Sequence, residues 1–465
     1  MKKITPFDTI AAISTPPGEG GIGIVRISGN TAFEIIEKIF EPHRKKSISD
    51  NLKSFTMHLG YIKEKEEIID EVLVSLMKAP HTYTREDIVE INCHGGAVAV
   101  NGVLRLVLKN GARLAEPGEF TKRAFINGRI DLSQAEAVLD IVRSRTNKAL
   151  EAAVNQLKGK LSGRIHNLIG VLKSILVVLE ANIDFPDEED VSPLRLKDIQ
   201  KKVDSVKNEL ASLIASYDTG KIIRDGVVTV LSGKPNVGKS SIFNAFLRFD
   251  RAIVTPIPGT TRDIIEEQLN INGIPFILAD TAGITDSDNV IEKEGVKRSR
   301  TYMEKAQLIL VVCDGSMDFD ERDIEIIDRA KTLRWIPIIN KIDLPIKLNP
   351  EKLIQETGMN QDFVYLSAKN GKGLSELEKR MTDMVASGDA GGDYSLMITN
   401  ARHYTILQKT LEELGHASDT LDVNAEPELV AYDIRSAMDI IGEITGEVTN
   451  KDILDEIFNN FCIGK

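Results

Sequence analysis

Apolar positions change period along this chain, and the changes divide it. Near the start, short alternating or β-branched runs at 9–14, 23–28, 71–77 and 87–92 predict strands. Residues 98–108 repeat at helical spacing, so 1–120 reads as a small α/β domain. From Leu132 the period is helical, through Val138, Ile141 and Val142. A longer stripe follows at Leu157, Leu161, Ile165, Leu168, Leu172, Ile175 and Leu179. Val177 and Val178 add apolar bulk beyond it, which predicts burial on more than one side. The acidic break DFPDEED at 184–190 ends this helix, and another spans 196–217. Strand-like runs return at 227–231, 276–279, 335–339 and 363–366. After the flexible SGDAGGD at 387–393, helical spacing resumes at Tyr404, Leu407, Leu411 and Leu414, then over 429–441 and 453–458. The pattern predicts a multidomain α/β plus all-α chain. A discontinuous helical domain, 121–221 and 385–465, receives an inserted domain at 222–384.

The inserted domain carries the densest chemistry. Its first strand runs into Gly233-x4-Gly238-Lys239-Ser240, and a helix starts at Ser241. Glycines let backbone N–H groups curl around phosphate oxygens, and the helix N-terminus faces the same anion. Asn236, Val237, Gly238, Lys239, Ser240 and Ser241 therefore form a candidate phosphate cradle. In it, Lys239 reaches the β- and γ-phosphates and Ser240 supplies a hydroxyl to Mg²⁺. Three more motifs each end a predicted strand. Asp280-Thr281-Ala282-Gly283 places an Asp for the Mg²⁺ shell and a Gly N–H for the γ-phosphate. Asn340-Lys341-Ile342-Asp343 places a carboxylate that can accept from guanine N1–H and N2–H₂, which adenine cannot supply. Ser367-Ala368-Lys369 can present a backbone N–H to guanine O6. Their order predicts a guanine-nucleotide site, and the region resembles the GTPase domain of the Ras-like superfamily: a P-loop G domain.

Two details qualify that resemblance. Ile284 follows Gly283, where many GTPases carry the Gln that orients water. Asn236 either tolerates a tight turn or offers its side-chain carbonyl to a monovalent cation beside the phosphates. TPIPGTTRD at 255–263 reads as a switch loop, with Thr261 available to Mg²⁺ and Arg262 a candidate finger with a competing structural role.

Composition changes this picture little. The 465 residues suit about three domains. Net charge of −12 does not advertise nucleic-acid binding, although a local patch or a partner can carry a basic surface. Cys93, Cys313 and Cys462 lie far apart, with neither metal spacing nor a disulfide framework, as expected in a reducing cytosol. Pro6 and Asp8 interrupt the start before any long apolar core, and no apolar run approaches the ~18 residues of a membrane span. Together these predict a cytoplasmic protein. Cys462 is fourth from the end, but Gly464 and Lys465 fit a prenylation box poorly.

Two charged residues, Arg26 and Glu90, interrupt apolar strands of the first domain; a solvated strand face is the plain reading of both. His94 before Gly95-Gly96 suits a turn. The stretches TPPGEGGIGIVRISG, PGEFTKRAFINGRIDLSQAEAV, GKPNVGKSS, PGTTRD, DTAGI and the terminal FCIGK occur in one order across the chain. Together they resemble the MnmE (TrmE) family of tRNA-modification GTPases. That resemblance implies an N-terminal folate-binding and dimerisation domain, a helical domain and an inserted G domain. It implies a homodimer working with an FAD-binding flavoprotein of the MnmG type. The pair installs an aminomethyl or carboxymethylaminomethyl group on C5 of the wobble uridine of certain tRNAs.

By the same resemblance, 5,10-methylene- or 5-formyl-tetrahydrofolate would be held by Arg26, Glu90, Arg129 and Lys465. At Arg129 a related bacterial enzyme has Lys, which keeps charge and changes geometry. K⁺ would take Asn236, Thr255, Ile257 and Thr260, and Mg²⁺ would take Ser240 and Thr261. Glu292 matches the Glu that orients the attacking water through a second water, although Glu294 is close enough to compete for the alignment and a solvated helix start also suits Glu292. Cys462 matches a Cys needed for modification. A ribosome-assembly GTPase would share the G-domain motifs, but no KH-like GxxG segment or basic tail is present. A folate-dependent enzyme regulated by GTP is a third alternative.

Overall fold

The computed structural model describes residues 8–43, 53–185, 195–249, 266–280, 306–385, 396–423 and 426–465. The chain forms two compact units. The first is Met1–Leu139, Gln156–Val177 and Ile434–Lys465; the second is Asp140–Asn155 and Val178–Asp433.

The first unit opens with β1 (Ile10–Ile13), β2 (Gly23–Ser28), α1 (Ala32–Ile39), β3 (Phe40–Pro42), β4 (Thr56–Glu64), β5 (Glu67–Met77), β6 (Ile88–Cys93), α2 (Ala97–Lys109) and β7 (Arg113–Leu114). Its seven-stranded sheet has the order β3-β4-β5-β6-β2-β1-β7. Val25, Ile27, Val72, Val74, Val89 and Ile91 point to one face and make a core with Ile35 and Ile36 of α1 and Val103 and Val107 of α2. Strand alternation sends the residues between them to the other face. There Arg26 of β2 and Glu90 of β6 are register partners.

The helices that follow are α3 (Glu119–Ile126), α4 (Leu132–Arg143), α5 (Asn147–Leu157) and α6 (Lys160–Asp184). In α3 the buried positions include Glu119, Thr121 and Arg123. In α6, Leu161, Ile165, Leu168, Leu172, Ile175 and Leu179 are all buried. This helix corrects one expectation: by length and composition it is apolar enough to cross a membrane. Only one stripe is buried: Val171 and Val177 are exposed, so the burial on more than one side expected from Val177 and Val178 is not found.

The second unit continues with α7 (Leu196–Ala215), α8 (Tyr217–Asp225), β8 (Val227–Ser232), α9 (Lys239–Phe249), β9 (Glu266–Ile271), β10 (Ile274–Asp280), β11 (Leu308–Asp314), α10 (Glu321–Ala330), β12 (Trp335–Asn340), α11 (Pro350–Thr357), β13 (Val364–Tyr365), α12 (Leu374–Val385) and α13 (Ala401–Asp422). The helix expected over 196–217 breaks at Ser216 into α7 and α8. Six strands form a sheet in the order β13-β12-β11-β8-β10-β9. All neighbours are parallel except β9 and β10. One face packs on Ile242 and Phe246 of α9 and Leu377 and Met381 of α12. The other packs on Ile327 of α10 and Leu353 of α11. This is a doubly wound sheet. Its strand order reverses at β8, so a crevice opens beyond the carboxyl ends of β8 and β11.

Helices from either side of this sheet in sequence meet each other. Gln200 Nε2 of α7 donates to Ser418 Oγ of α13 at 2.6 Å, and the rings of Tyr217 and Tyr404 stack at 4.2 Å between centroids. Two helices close the chain, α14 (Pro427–Gly442) and α15 (Lys451–Asn459).

Candidate functional site

The crevice beyond β8 holds a cavity of about 520 Å³. Gly238, Ser241, Asn340, Lys341, Asp343, Ala368 and Lys369 line it, as does Asn244, which the sequence reading passed over. The loop from β8 to α9 has Asn236 at φ 65° and Gly238 at φ 98°. Such left-handed turns orient successive N–H groups into one concavity, an anion nest. A Cβ at position 238 would sit 2.3 Å from Asn340 Nδ2, so only glycine lets this loop close against β12.

Hydrogen bonds bind the separate motifs together. Asn340 Nδ2 donates to Val237 O at 2.9 Å, and Asn340 Oδ1 accepts from Ala368 N at 3.1 Å. One buried side chain thus joins the phosphate loop to the β13 loop. Lys341 Nζ donates to Asn236 O at 2.8 Å and to Asp314 Oδ2 at 2.5 Å. Burial raises the Asp314 carboxyl, but Lys341 and Ser316 outweigh it and hold the group below its ordinary value. Asp314 was not singled out by sequence. The signal was available: it is a polar residue ending an apolar strand, as are Asp280 and Asn340. Ser367 Oγ donates to Asp343 Oδ1 at 2.7 Å. That bond holds the Asp343 carboxyl below its usual value, so it stays an acceptor.

The remaining nucleotide residues divide in two. Lys239 begins α9 and donates to Gly233 O and Lys234 O, both at 2.8 Å; Ser240 is in the same helical turn. Asp280 ends β10, in register with Leu231 of β8, close to the start of the loop. Thr255, Ile257, Thr260, Thr261, Arg262, Gly283, Ile284, Glu292 and Glu294 lie outside the described residues, as do 186–190 and 387–393. Among the described residues, no group of three or more His, Cys, Asp or Glu is arranged to hold a metal ion. The cation expectations rest instead on hydroxyl, amide and carbonyl donors.

A second constellation lies in the first unit. Arg26 Nη2 and Glu90 Oε1 are 2.8 Å apart, both partly buried. A structural pair, rather than a solvated face, is therefore the reading of both residues. Arg26 Nη1 also donates to Gly464 O at 3.3 Å, and Ser14 Oγ donates to the same carbonyl at 3.1 Å. The terminal segment is held further by Gly118 N, which donates to Cys462 O at 3.3 Å, and by the packed rings of Phe458 and Phe461. Arg129, expected from a different stretch, lies with its Cζ 4.6 Å from the ring centroid of Tyr83. Cys462 is exposed, whereas burial pushes the thiols of Cys93 and Cys313 up to about 11 and about 12. His94 Nδ1 lies 2.7 Å from Asp70 Oδ1 in the turn after β6, as a turn histidine would.

Known proteins match the chain end to end. The family model for the TrmE N-terminus, described as GTP-binding protein, matches residues 9–129, and the one for the MnmE helical domain matches 132–462. A protein of Thermoanaerobacter pseudethanolicus named tRNA modification GTPase MnmE is 49% identical over 461 residues, covering 99% of this chain and 100% of the relative. Proteins with the same name are 46% identical in Clostridioides difficile, over 98% of this chain and 99% of the relative, and 44% identical in Geobacillus thermodenitrificans, over 99% and 100%. With identity this high over the whole length, the chain belongs to the MnmE family.

Proposed function

We infer that this chain is a GTP hydrolase acting in tRNA modification, and we propose the finer mechanism below. The observation that carries the reading is the join at Asn340. A single side chain ties the phosphate loop to the guanine-reading loops, so base and phosphates are recognised by one connected frame. Asp343, kept ionised by Ser367, accepts the two N–H groups of guanine. Lys341, braced by Asp314, walls the same cavity. Lys239 supplies positive charge to the β- and γ-phosphates.

Mg²⁺ would be held by Ser240 and Thr261 with Asp280 nearby, and the hard oxygen donors of this set suit it. When bound, it neutralises charge on the β- and γ-phosphates during transfer. Asn236, Thr255, Ile257 and Thr260 would hold K⁺. Glu292 orients the attacking water, the task for which Ile284 has no polar group.

The first unit would hold a reduced folate, 5-formyl- or 5,10-methylene-tetrahydrofolate. Support comes from four residues remote in sequence. Arg26 and Glu90 pair, Gly464 beside Lys465 contacts Arg26, and the rings beneath Arg26 and Arg129 pack on one apolar cluster. A carboxylate and several cations suit a pterin edge and a glutamate tail. The packing of α7 on α13 supports reading 222–384 as a domain inserted between two halves of a helical one, with 1–120 as the N-terminal domain. The chain would act as a homodimer with an FAD-binding MnmG-type partner on C5 of the wobble uridine U34.

Mass spectrometry of wobble nucleosides from cells lacking this chain tests the proposal. Loss of the C5 aminomethyl-type group, restored by the wild-type chain and not by Lys239→Ala, is the expected result. Unchanged nucleosides with defective ribosome assembly would overturn it in favour of a ribosomal role.

A further inference from the structure

Two guanidinium groups of the first unit rest on aromatic rings. Arg26 Cζ lies 5.7 Å from the Phe120 centroid, and Arg129 Cζ lies 4.6 Å from that of Tyr83. The two rings are not independent supports. Phe120 is buried with Ile10, Ala12 and Ala115, and Tyr83 packs against that same cluster. Tyr83 also packs against the cluster containing Phe458 and Phe461, which anchors the terminal segment.

Polar contacts hold the Tyr83 loop in place. The phenol oxygen lies 3.0 Å from Thr121 Oγ1. Asn127 Nδ2 donates to Thr84 O at 2.6 Å, and Arg85 Nη1 donates to Asn127 O at 2.8 Å. The loop carrying Tyr83 is thereby tied to the turn carrying Arg129.

From this arrangement we infer that Tyr83 is the positioning residue of the reduced-folate site, its ring face holding the Arg129 guanidinium ready for the ligand. The inference rests on the folate reading above. A free arginine carries considerable rotamer freedom, part of which a ligand must otherwise remove on binding. A ring beneath the guanidinium removes that freedom in advance and adds a cation–π attraction. The hydroxyl has a separate task, holding the ring to α3 through Thr121. Ring and hydroxyl should therefore separate on mutation.

Calorimetry of the full-length chain with 5-formyltetrahydrofolate tests this. Tyr83→Leu should weaken Kd roughly 3- to 10-fold at unchanged stoichiometry, the range expected for a partly desolvated cation–π contact. Tyr83→Phe, which keeps the ring, should stay within about twofold of wild type. In an Arg129→Gln background, Tyr83→Leu should cost less than about twofold more, because the group it positions is gone. Three results would overturn the inference: wild-type affinity in Tyr83→Leu, the same loss in both backgrounds, or reduced stoichiometry at constant Kd. A wild-type chain that binds no reduced folate overturns the folate reading itself, and the role of Tyr83 with it.

Discussion

Single residues decide both sites. Asp343 is the expected acceptor for guanine N1–H and N2–H₂, and Ser367 keeps it ionised. Asp343→Asn replaces an acceptor with a mixed amide. GTP affinity should fall roughly 10–100-fold, the loss expected for charge-assisted hydrogen bonds. Xanthosine triphosphate, with an acceptor where guanine has N2–H₂, should gain. Competition binding with both nucleotides checks this, and an unchanged preference would remove Asp343 from base recognition. At the other site, Gly464 has φ 96°, and a Cβ there would lie 2.3 Å from Ile13 O. Gly464→Ala must therefore displace the carbonyl that Arg26 and Ser14 share. Reduced-folate affinity should fall about tenfold, while nucleotide affinity in the other unit stays unchanged. Equal loss of both would mean a general folding defect.

Elements differed in how much the sequence disclosed. β8, β10, β12 and β13 were legible because each is an apolar run ending in nucleotide chemistry. No motif follows β11, and its role appears only when Asp314 is seen against Lys341. Residues from about 121 were expected to be helical, but the apolar stripe is readable only from Leu132, because the inner face of α3 carries charge. Glu119 Oε1 is 2.7 Å from Arg113 Nη2 and 3.0 Å from Arg123 Nη2, and Asp8 Oδ1 is 2.6 Å from the latter. An apolar-stripe reading cannot register a helix that buries Glu119 and Arg123. Arg26 and Glu90 were noticed as charges in apolar strands, but their pairing needed the β2–β6 register.

The α3 network also fixes a pH dependence. Burial raises the Glu119 carboxyl, yet the bonds from Arg113, Glu116 N–H and Arg123 outweigh it and bring its pKa below 4.5. A depressed carboxylate contributes its full stability above the unfolded value and loses it as pH falls through the folded value. Removing one partner of a buried ion pair costs about 3–5 kcal/mol. Glu119→Gln should therefore lower the thermal midpoint at pH 7, with the gap to wild type narrowing below pH 4.5. Calorimetric scans from pH 7 to pH 3 measure it. A gap independent of pH would mean that packing, not charge, is what Glu119 supplies.

At the scale of the whole molecule, the open question is where the catalytic charge for hydrolysis comes from. Phosphoryl transfer builds negative charge between the β- and γ-phosphates, and an arginine finger placed there is worth about 10³–10⁵ in rate. Ile284 cannot orient water, and Arg262 is the one finger candidate that the switch-loop sequence offers. Asn236 sits in a left-handed turn of the loop between β8 and α9, its carbonyl already engaged by Lys341 and its side chain the one expected to hold K⁺. A cation held by Asn236 and the 255–260 loop would supply the same charge as a finger. If that loop is completed only when two G domains meet, turnover requires a dimer, and the proposed homodimer would have a catalytic purpose. GTPase rate should then rise steeply in KCl over NaCl at matched ionic strength, and with protein concentration. Asn236→Ala should abolish the difference between the two salts. Glu292→Ala should slow hydrolysis with GTP affinity nearly intact, the signature of a group acting in the transition state. Equal rates in both salts would refute the cation mechanism. So would an Arg262→Ala variant that is inactive while Asn236→Ala keeps its K⁺ response, because the charge would then be shown to come from the protein itself.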